Sequence, residues 1–108
     1  HVLQRSDGEV DFKQSVEAIY RRYRALYPWP GSYSWLGGQR LKLLRVKPVS
    51  SLASQQEPGQ MRLEHGGVVV SCGDGLLKLE EVQLEGRRAT AATDLINGHP
   101  KFLDSRLG

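Results

Sequence analysis

The residues that most often carry catalysis or bind metals are scattered in this chain. Its three histidines are His1, His65 and His99, and its single cysteine is Cys72. They lack the spacing of metal ligands, and no nucleophile has a general base nearby in the sequence. Cys72 follows a valine-rich stretch, which favours a small buried hydrophobe over a reactive thiol. The sequence therefore predicts no catalytic residue and no metal site, and it indicates a function in binding.

Positive charge is concentrated in the first half of the chain. Between Ala18 and Gln56 there are seven basic residues and no acidic one, whereas from Glu57 onward six basic residues accompany eight acidic ones. The seven are Arg21, Arg22, Arg24, Arg40, Lys42, Arg45 and Lys47. This asymmetry favours a polyanionic partner. The alternative is that these charges only solvate the surface.

An amphipathic helix is predicted to carry the first three arginines. Its apolar positions recur at offsets of three, four and three: Val16, Ile19, Tyr23 and Leu26. Asp11 is the expected cap at its start. Pro28 and Pro30 should end it by about Tyr27, because each proline pushes the preceding residue out of the helical region.

Antiparallel strands are predicted after this proline corner. Gly37-Gly38 is typical of a hairpin turn between Tyr33–Leu36 and Gln39–Lys47. The apolar alternation slips by one residue at Leu43-Leu44, which predicts a β-bulge that keeps the leucines and valine inside. Arg40, Lys42, Arg45 and Lys47 would then form one basic strand face.

The remainder of the chain continues this pattern. A loop is predicted over Pro48–Pro58, a second hairpin turns at His65-Gly66, and Leu76–Leu84 repeats the slip in phase. A short helix is predicted over Asp94–Asn97. About five coiled, bulged strands favour a small closed barrel of the OB type. With 108 residues the chain is long enough for one domain.

Several motifs resemble the C-terminal domain of methionyl-tRNA formyltransferase. They cover nearly the whole chain, in order: Gly8–Phe12, the Pro-Trp-Pro-Gly corner within Ala25–Trp35, Cys-Gly-Asp-Gly-Leu-Leu-Lys-Leu at 72–79, Gln-Leu-Glu-Gly-Arg-Arg at 83–88 and Asp-Leu-Ile-Asn-Gly-His at 94–99. Two positions depart from the family pattern. Ala91 stands where a serine cap is common, so Thr90 must cap or the cap is absent, and Leu84 replaces a proline.

The resemblance implies an OB-like domain over residues 11–108. Residues 1–10 would be a linker or arm from a preceding Rossmann-like catalytic domain, which performs formyl transfer from 10-formyltetrahydrofolate. Because the chain begins at His1, we expect it to be a part of a longer protein. No cofactor and no metal are expected in this chain itself. No apolar run approaches the roughly 18 residues of a membrane span, so a soluble protein is expected. The single cysteine and the lack of an export signal at the start of the sequence predict a cytoplasmic location.

The resemblance also supplies initiator methionyl-tRNA as the polyanion. Pattern and charge place the tRNA-binding residues in three groups: Arg40, Lys42, Arg45 and Lys47 first, then Arg21, Arg22 and Arg24, with Arg87 and Arg88 as extensions.

Two other functions stay open from the sequence. One is a structural module of a related formyltransferase or formyl-folate hydrolase that binds no RNA. The other is an independent single-strand binding module, since OB-type barrels stack bases on exposed aromatic rings. Trp29 is interpreted as a plug of the barrel end, while a stacking role for Tyr27 or Tyr33 is left open.

Overall fold

A computed structural model describes residues 8–27, 31–50, 57–64 and 66–108. The elements, in chain order, are helix α1 (Val16–Leu26), strands β1 (Ser32–Leu36), β2 (Gln39–Ser50), β3 (Met61–Glu64), β4 (Gly67–Ser71), β5 (Leu76–Leu84) and β6 (Ala89–Ala91), helix α2 (Ala92–Gly98) and a 3₁₀ helix (Pro100–Asp104). The predicted mainly β class, with one helix before the sheet and a short one after it, is confirmed. His1, His65 and the corner of Pro28, Trp29 and Pro30, including the expected plug, lie outside the described residues.

The six strands form one antiparallel sheet that is open. The order is β1-β2-β5-β4-β3, and β6 lies beside the second half of β5. The expected closed barrel is not confirmed, since no pairing joins β1 to β3 within the described residues. The end of the chain reaches both strands instead. Gly108 N–H donates to the carbonyl of Trp35 on β1, and Leu107 N–H donates to the carbonyl of Gly59 just before β3, both at 2.9 Å.

Two neighbouring bulges bend the central strands β2 and β5. The register shifts at these bulges leave Leu44 as an extra residue on β2 and Glu80 as an extra residue on β5, and a third shift leaves Val49 as an extra residue near the end of β2. Both predicted phase slips are therefore confirmed. Leu43 and Val46, on either side of the β2 bulge, are buried, but Leu44 itself is only half-buried. The bulge thus preserves the inward phase of the strand and leaves one leucine partly exposed.

A single core fills the inner face of the sheet. Helix α1 and the turn before it contribute Phe12, Val16 and Ile19, and helix α2 contributes Leu95 and Ile96. The strands supply alternate residues, all at most 4% exposed: Leu41, Leu43, Val46, Val68, Val70, Leu77, Leu79, Val82 and Leu84. Because these inward positions are apolar, the intervening polar residues are left on the outer face.

The start of α1 is capped by two side chains. Ser15 Oγ accepts a hydrogen bond from Ala18 N–H at 3.1 Å. Asp74, in the turn between β4 and β5, accepts from Val16 N–H at 2.8 Å. The prediction that Asp11 caps this helix is wrong, because its carboxylate accepts from Lys13 N–H within the preceding turn. That turn occupies residues 11–14, so the helix begins only after it.

Several element boundaries differ from those predicted. Strand β2 continues through Pro48, where a loop was expected, because only β5 pairs with it there and a proline is tolerated beside an unpaired strand edge. Helix α2 begins two residues before Asp94, and Ala91 precedes it without a side-chain cap. Before α1, Glu9 forms a single bridge with Tyr33 of β1.

Candidate nucleic-acid interface

Three cations of β2 lie exposed on the outer face of the sheet. Lys42, Arg45 and Lys47 point away from the core because the residues between them point into it. The bulge at Leu44 keeps the three in this orientation on both sides of the phase slip. Arg45 has one acidic neighbour, Glu80, at 3.7 Å, and the arginine side chain is 64% exposed. Such an exposed pair is weak, so Arg45 remains available to an anion.

The fourth predicted residue of this strand, Arg40, has a different environment. Its guanidinium carbon lies 5.1 Å from the ring centre of Tyr33 and 5.5 Å from that of Trp35. The two rings meet edge to face at 5.9 Å. Arg40 is half-buried, and its Nε is buried without a hydrogen-bond partner among the described residues. Cation–π contacts therefore hold Arg40 in place, and it presents less of its charge to a partner than Lys42 does.

The sheet extends the basic face across further strands. Lys47 on β2 pairs with Lys78 on β5, which pairs with Val69 on β4, which pairs with Arg62 on β3. These residues form one cross-strand row, in which Lys78 and Arg62 are half-buried and Val69 between them is fully buried. Arg62 also forms an ion pair with Glu64 at 2.6 Å. Lys78 and Arg62 are absent from the predicted binding residues, although the alternation around Lys78 could have indicated its outward direction.

The three arginines of α1 are all exposed and differ in their contacts. Arg21 pairs with Glu17 one turn earlier at 2.8 Å. Arg24 lies over the ring of Tyr20, with its guanidinium carbon 5.9 Å from the ring centre. Arg22 lines a cavity of about 200 Å³ beside the segment that precedes the helix. The structure thus places Arg24 against an aromatic surface, while the charge of Arg21 is partly balanced.

Three tyrosines form a ladder along α1. The tyrosine ladder consists of Tyr20, Tyr23 and Tyr27, with ring centres 5.8 Å apart in the first pair and 6.3 Å apart in the second. Tyr23 O–H donates to the carbonyl of Leu44 at 2.9 Å, which connects the ladder to the β2 bulge. Burial raises the pKa of Tyr23, and the nearby charge of Arg45 opposes that change. Helix and basic strand are therefore joined at this point.

Arg87 and Arg88 lie in the turn between β5 and β6. Both are exposed, and Arg87 Nη1 lies 3.3 Å from Nε2 of His99. Glu85, at the start of this turn, donates its N–H to the carbonyl of Arg40. The pair therefore lies beyond the Arg40 end of β2, away from the tyrosine ladder at the bulge.

The described residues include neither a reactive thiol nor a cluster of metal ligands. Cys72 is buried, as predicted, and burial together with the charge of Asp74 raises the pKa of its thiol to about 12. The described part of the chain contains no group of three His, Cys, Asp or Glu side chains that could hold a metal ion. Neither described α-helix is long and apolar enough to cross a membrane.

The chain is similar to known proteins over most of its length. A sequence model of the family described as formyl transferase, C-terminal domain, matches residues 2–100. A methionyl-tRNA formyltransferase from Thermus thermophilus is 48% identical over 107 residues, covering 98% of this chain and 34% of the relative. One from Acidobacterium capsulatum is 40% identical over 108 residues, covering 99% of this chain and 34% of the relative. The chain thus spans about a third of the length of these relatives.

A solved structure shares the fold. The crystal structure of a HypX variant from Aquifex aeolicus superposes with a TM-score of 0.73 at 18% sequence identity. The superposition covers 93% of this chain and 18% of that protein. At this identity the similarity concerns the fold alone.

Proposed function

Because the chain belongs to the formyl transferase C-terminal domain family, we propose that it is the accessory tRNA-binding domain of a cytoplasmic methionyl-tRNA formyltransferase. It positions initiator methionyl-tRNA while an N-terminal Rossmann-like domain transfers the formyl group from 10-formyltetrahydrofolate. Residues 1–10 are the linker between the two domains, and residues 11–108 are the docking module. The domain contributes binding and no catalytic residue to the reaction.

The exposed cations on the outer face of β2 carry this proposal. Lys42, Arg45 and Lys47 are lined up on a doubly bulged strand pair, which fixes the direction of their charges. Lys78 widens the face toward β4. Cations in such an array neutralise phosphates of a nucleic-acid backbone and release counterions, so they supply affinity without reading sequence. Arg40, which packs against two aromatic rings, is expected to contribute less than the three exposed cations.

The test is the affinity of the chain for transfer RNA across a salt series from about 50 to 200 mM, where phosphate contacts have large effects. The wild-type affinity should fall steeply with salt. The double substitution Lys42→Glu/Lys47→Glu should weaken binding and reduce the slope of log K against log salt by roughly 0.7–0.9 for each phosphate that is no longer neutralised. Its free energy of unfolding should change by no more than about 0.5 kcal/mol, because both side chains are exposed.

A charge-matched control separates this face from the net charge. Lys13→Glu/Lys101→Glu makes the same change in charge at two exposed lysines, one in the turn before α1 and one in the 3₁₀ helix. It should leave most of the affinity intact. Equal losses in the two double variants would show that binding follows net charge and not the β2 face. No wild-type binding even at the lowest salt would favour the structural module that binds no RNA.

A further inference from the structure

Tyr27 is an exposed aromatic ring at the end of α1. Its side chain is 62% exposed. Among the described residues, the other exposed large hydrophobic side chain is Leu63 on the edge strand β3, at 52%. A lone exposed apolar residue needs no explanation. Tyr27, however, continues the tyrosine ladder, whose other two rings are half-buried and stacked on each other. Tyr27 is therefore an exposed ring that packs against a half-buried ring of the domain, that of Tyr23.

The ladder is fixed relative to the basic strand. The hydrogen bond from Tyr23 O–H to the carbonyl of Leu44 holds its middle ring against the β2 bulge. Arg45, the next residue on the strand, is close enough to act on Tyr23 electrostatically. The ring of Tyr27 therefore lies 6.3 Å from that of Tyr23, the ring that is bonded to the strand next to Arg45.

The charge around the ladder is positive. Arg24 lies over Tyr20, and the sequence from Ala18 to Gln56 contains no acidic residue. Glu17, the acid that precedes this stretch, is paired with Arg21, and Glu80, at the bulge, is paired with Arg45. Aromatic rings flanked by cations match the chemistry of a nucleotide, whose base stacks while its phosphate is neutralised. An acidic protein surface would match the cations but would not require the ring.

We propose that Tyr27, supported by the tyrosine ladder, stacks on an unpaired nucleobase of the RNA whose phosphates contact the β2 face. This inference rests on the proposed function and adds to it a contact that distinguishes single-stranded from fully paired RNA. Paired bases within a helix are already stacked on their neighbours and offer no free face, so only an unpaired nucleotide can use this ring.

The test compares two RNA hairpins with equal numbers of phosphates, one blunt and one with a single-stranded 3′ extension. Tyr27→Ala should lower the affinity for the extended hairpin by roughly 5- to 150-fold, the range that corresponds to loss of one base–aromatic stack. Its affinity for the blunt hairpin should be unchanged. Because the substitution removes no cation, the salt dependence of binding should also stay the same.

Two further variants provide controls. Tyr27→Phe keeps the ring and should retain the wild-type affinity for both hairpins. Leu63→Ala removes an exposed apolar side chain on another edge of the sheet and should affect neither. Unchanged affinity of Tyr27→Ala for the extended hairpin, or an equal loss for both hairpins, would overturn the stacking assignment while leaving phosphate docking intact. If Tyr27→Ala leaves the affinity for the extended hairpin unchanged, the ring would instead be a contact for a protein surface. Failure of the wild type to bind either hairpin would instead overturn the proposed function as well.

Discussion

Burial governs the chemistry of the one thiol in the chain. Cys72 Sγ lies inside the core, 3.7 Å from the carbonyl oxygen of Val70. Burial raises the pKa of Cys72 from its ordinary value of 9.0 to about 12, and the carboxylate of Asp74 adds to the increase. The neutral thiol is favoured in the folded protein, whereas the unfolded chain ionises at the ordinary value.

The buried thiol should make the free energy of unfolding depend on pH. Between about pH 9 and pH 12 the unfolded state releases a proton that the folded state retains, so the free energy of unfolding falls as the pH rises. Wild-type protein should therefore lose more stability than Cys72→Ala when urea unfolding is measured at pH 8 and again at about pH 10. At the lower pH the native thiol should react with a disulfide reagent only as fast as the protein opens. Rapid native labelling, or parallel pH profiles of the two proteins, would contradict the buried assignment.

The environment of Arg40 could not be predicted from the sequence alone. Alternation correctly predicts that Lys42, Arg45 and Lys47 are exposed, because a strand directs successive side chains to opposite faces. Arg40 has the same phase, but β1 places Tyr33 and Trp35 on its side of the sheet. That contact depends on strand pairing, so the sequence could not distinguish a ring-bound arginine from an exposed one.

Elements meet in ways that local patterns do not reveal. The stripe of α1 and its end near Tyr27 follow from apolar spacing and the following prolines. Its start could have been predicted from Ser15, the local cap directly before the apolar stripe, but the second cap could not. That cap comes from Asp74, which is distant in sequence and is brought near only by the fold. Gly73 permits this approach, since a Cβ there would lie 2.2 Å from the carbonyl oxygen of Lys13. The Gly-Asp-Gly motif is therefore both a turn and a helix-docking contact.

A second prediction follows for the start of α1. Asp74→Ala should destabilise the protein by about 0.5–2 kcal/mol, the usual effect of losing a helix cap, because Val16 N–H loses its acceptor. Asp74→Asn keeps an acceptor oxygen and should recover part of the loss. Both are measured by urea unfolding. Asp11→Ala serves as the control and should have a smaller effect, since its carboxylate bonds only within an exposed turn; an effect as large as that of Asp74→Ala would argue against the capping role.

The bulges are the part of the sheet that the sequence predicts best. A slip in apolar phase at Leu43-Leu44 and another within β5 each predict one extra residue. That the two extra residues, Leu44 and Glu80, lie on adjacent paired strands is visible only in the register. The same pairing brings Glu80 to Arg45, so the acid that partly balances the candidate site could not be assigned from spacing.

For the whole molecule, the class and the five longer strands are predictable, but the short strand β6 and closure are not. Coiled, bulged strands are compatible with a closed barrel or with an open sheet, and the difference depends on what meets the two end strands. Here residues 106–108 meet them. These residues have no apolar alternation that would predict a strand, and only the tertiary arrangement shows their contacts.

A third prediction tests the contribution of this segment. Leu107 is 4% exposed and belongs to the core, so Leu107→Ala should destabilise the protein by about 2–5 kcal/mol in urea unfolding. Leu63→Ala makes the same chemical change at an exposed position of β3 and should cost no more than about 0.5 kcal/mol. Similar losses in the two variants would show that residues 106–108 do not complete the core.

The segments that flank the sheet also protect it from other molecules. An end strand normally offers outward N–H and carbonyl groups on which a second chain can extend the sheet. On β1, the Tyr33 carbonyl accepts from Val10 N–H and the Trp35 carbonyl accepts from Gly108 N–H, both at 2.9 Å. Two stretches from opposite ends of the domain thus share one strand edge. Detaching either of them would expose a template for intermolecular β-pairing, so partial unfolding at this edge is the step from which aggregation of the domain should begin.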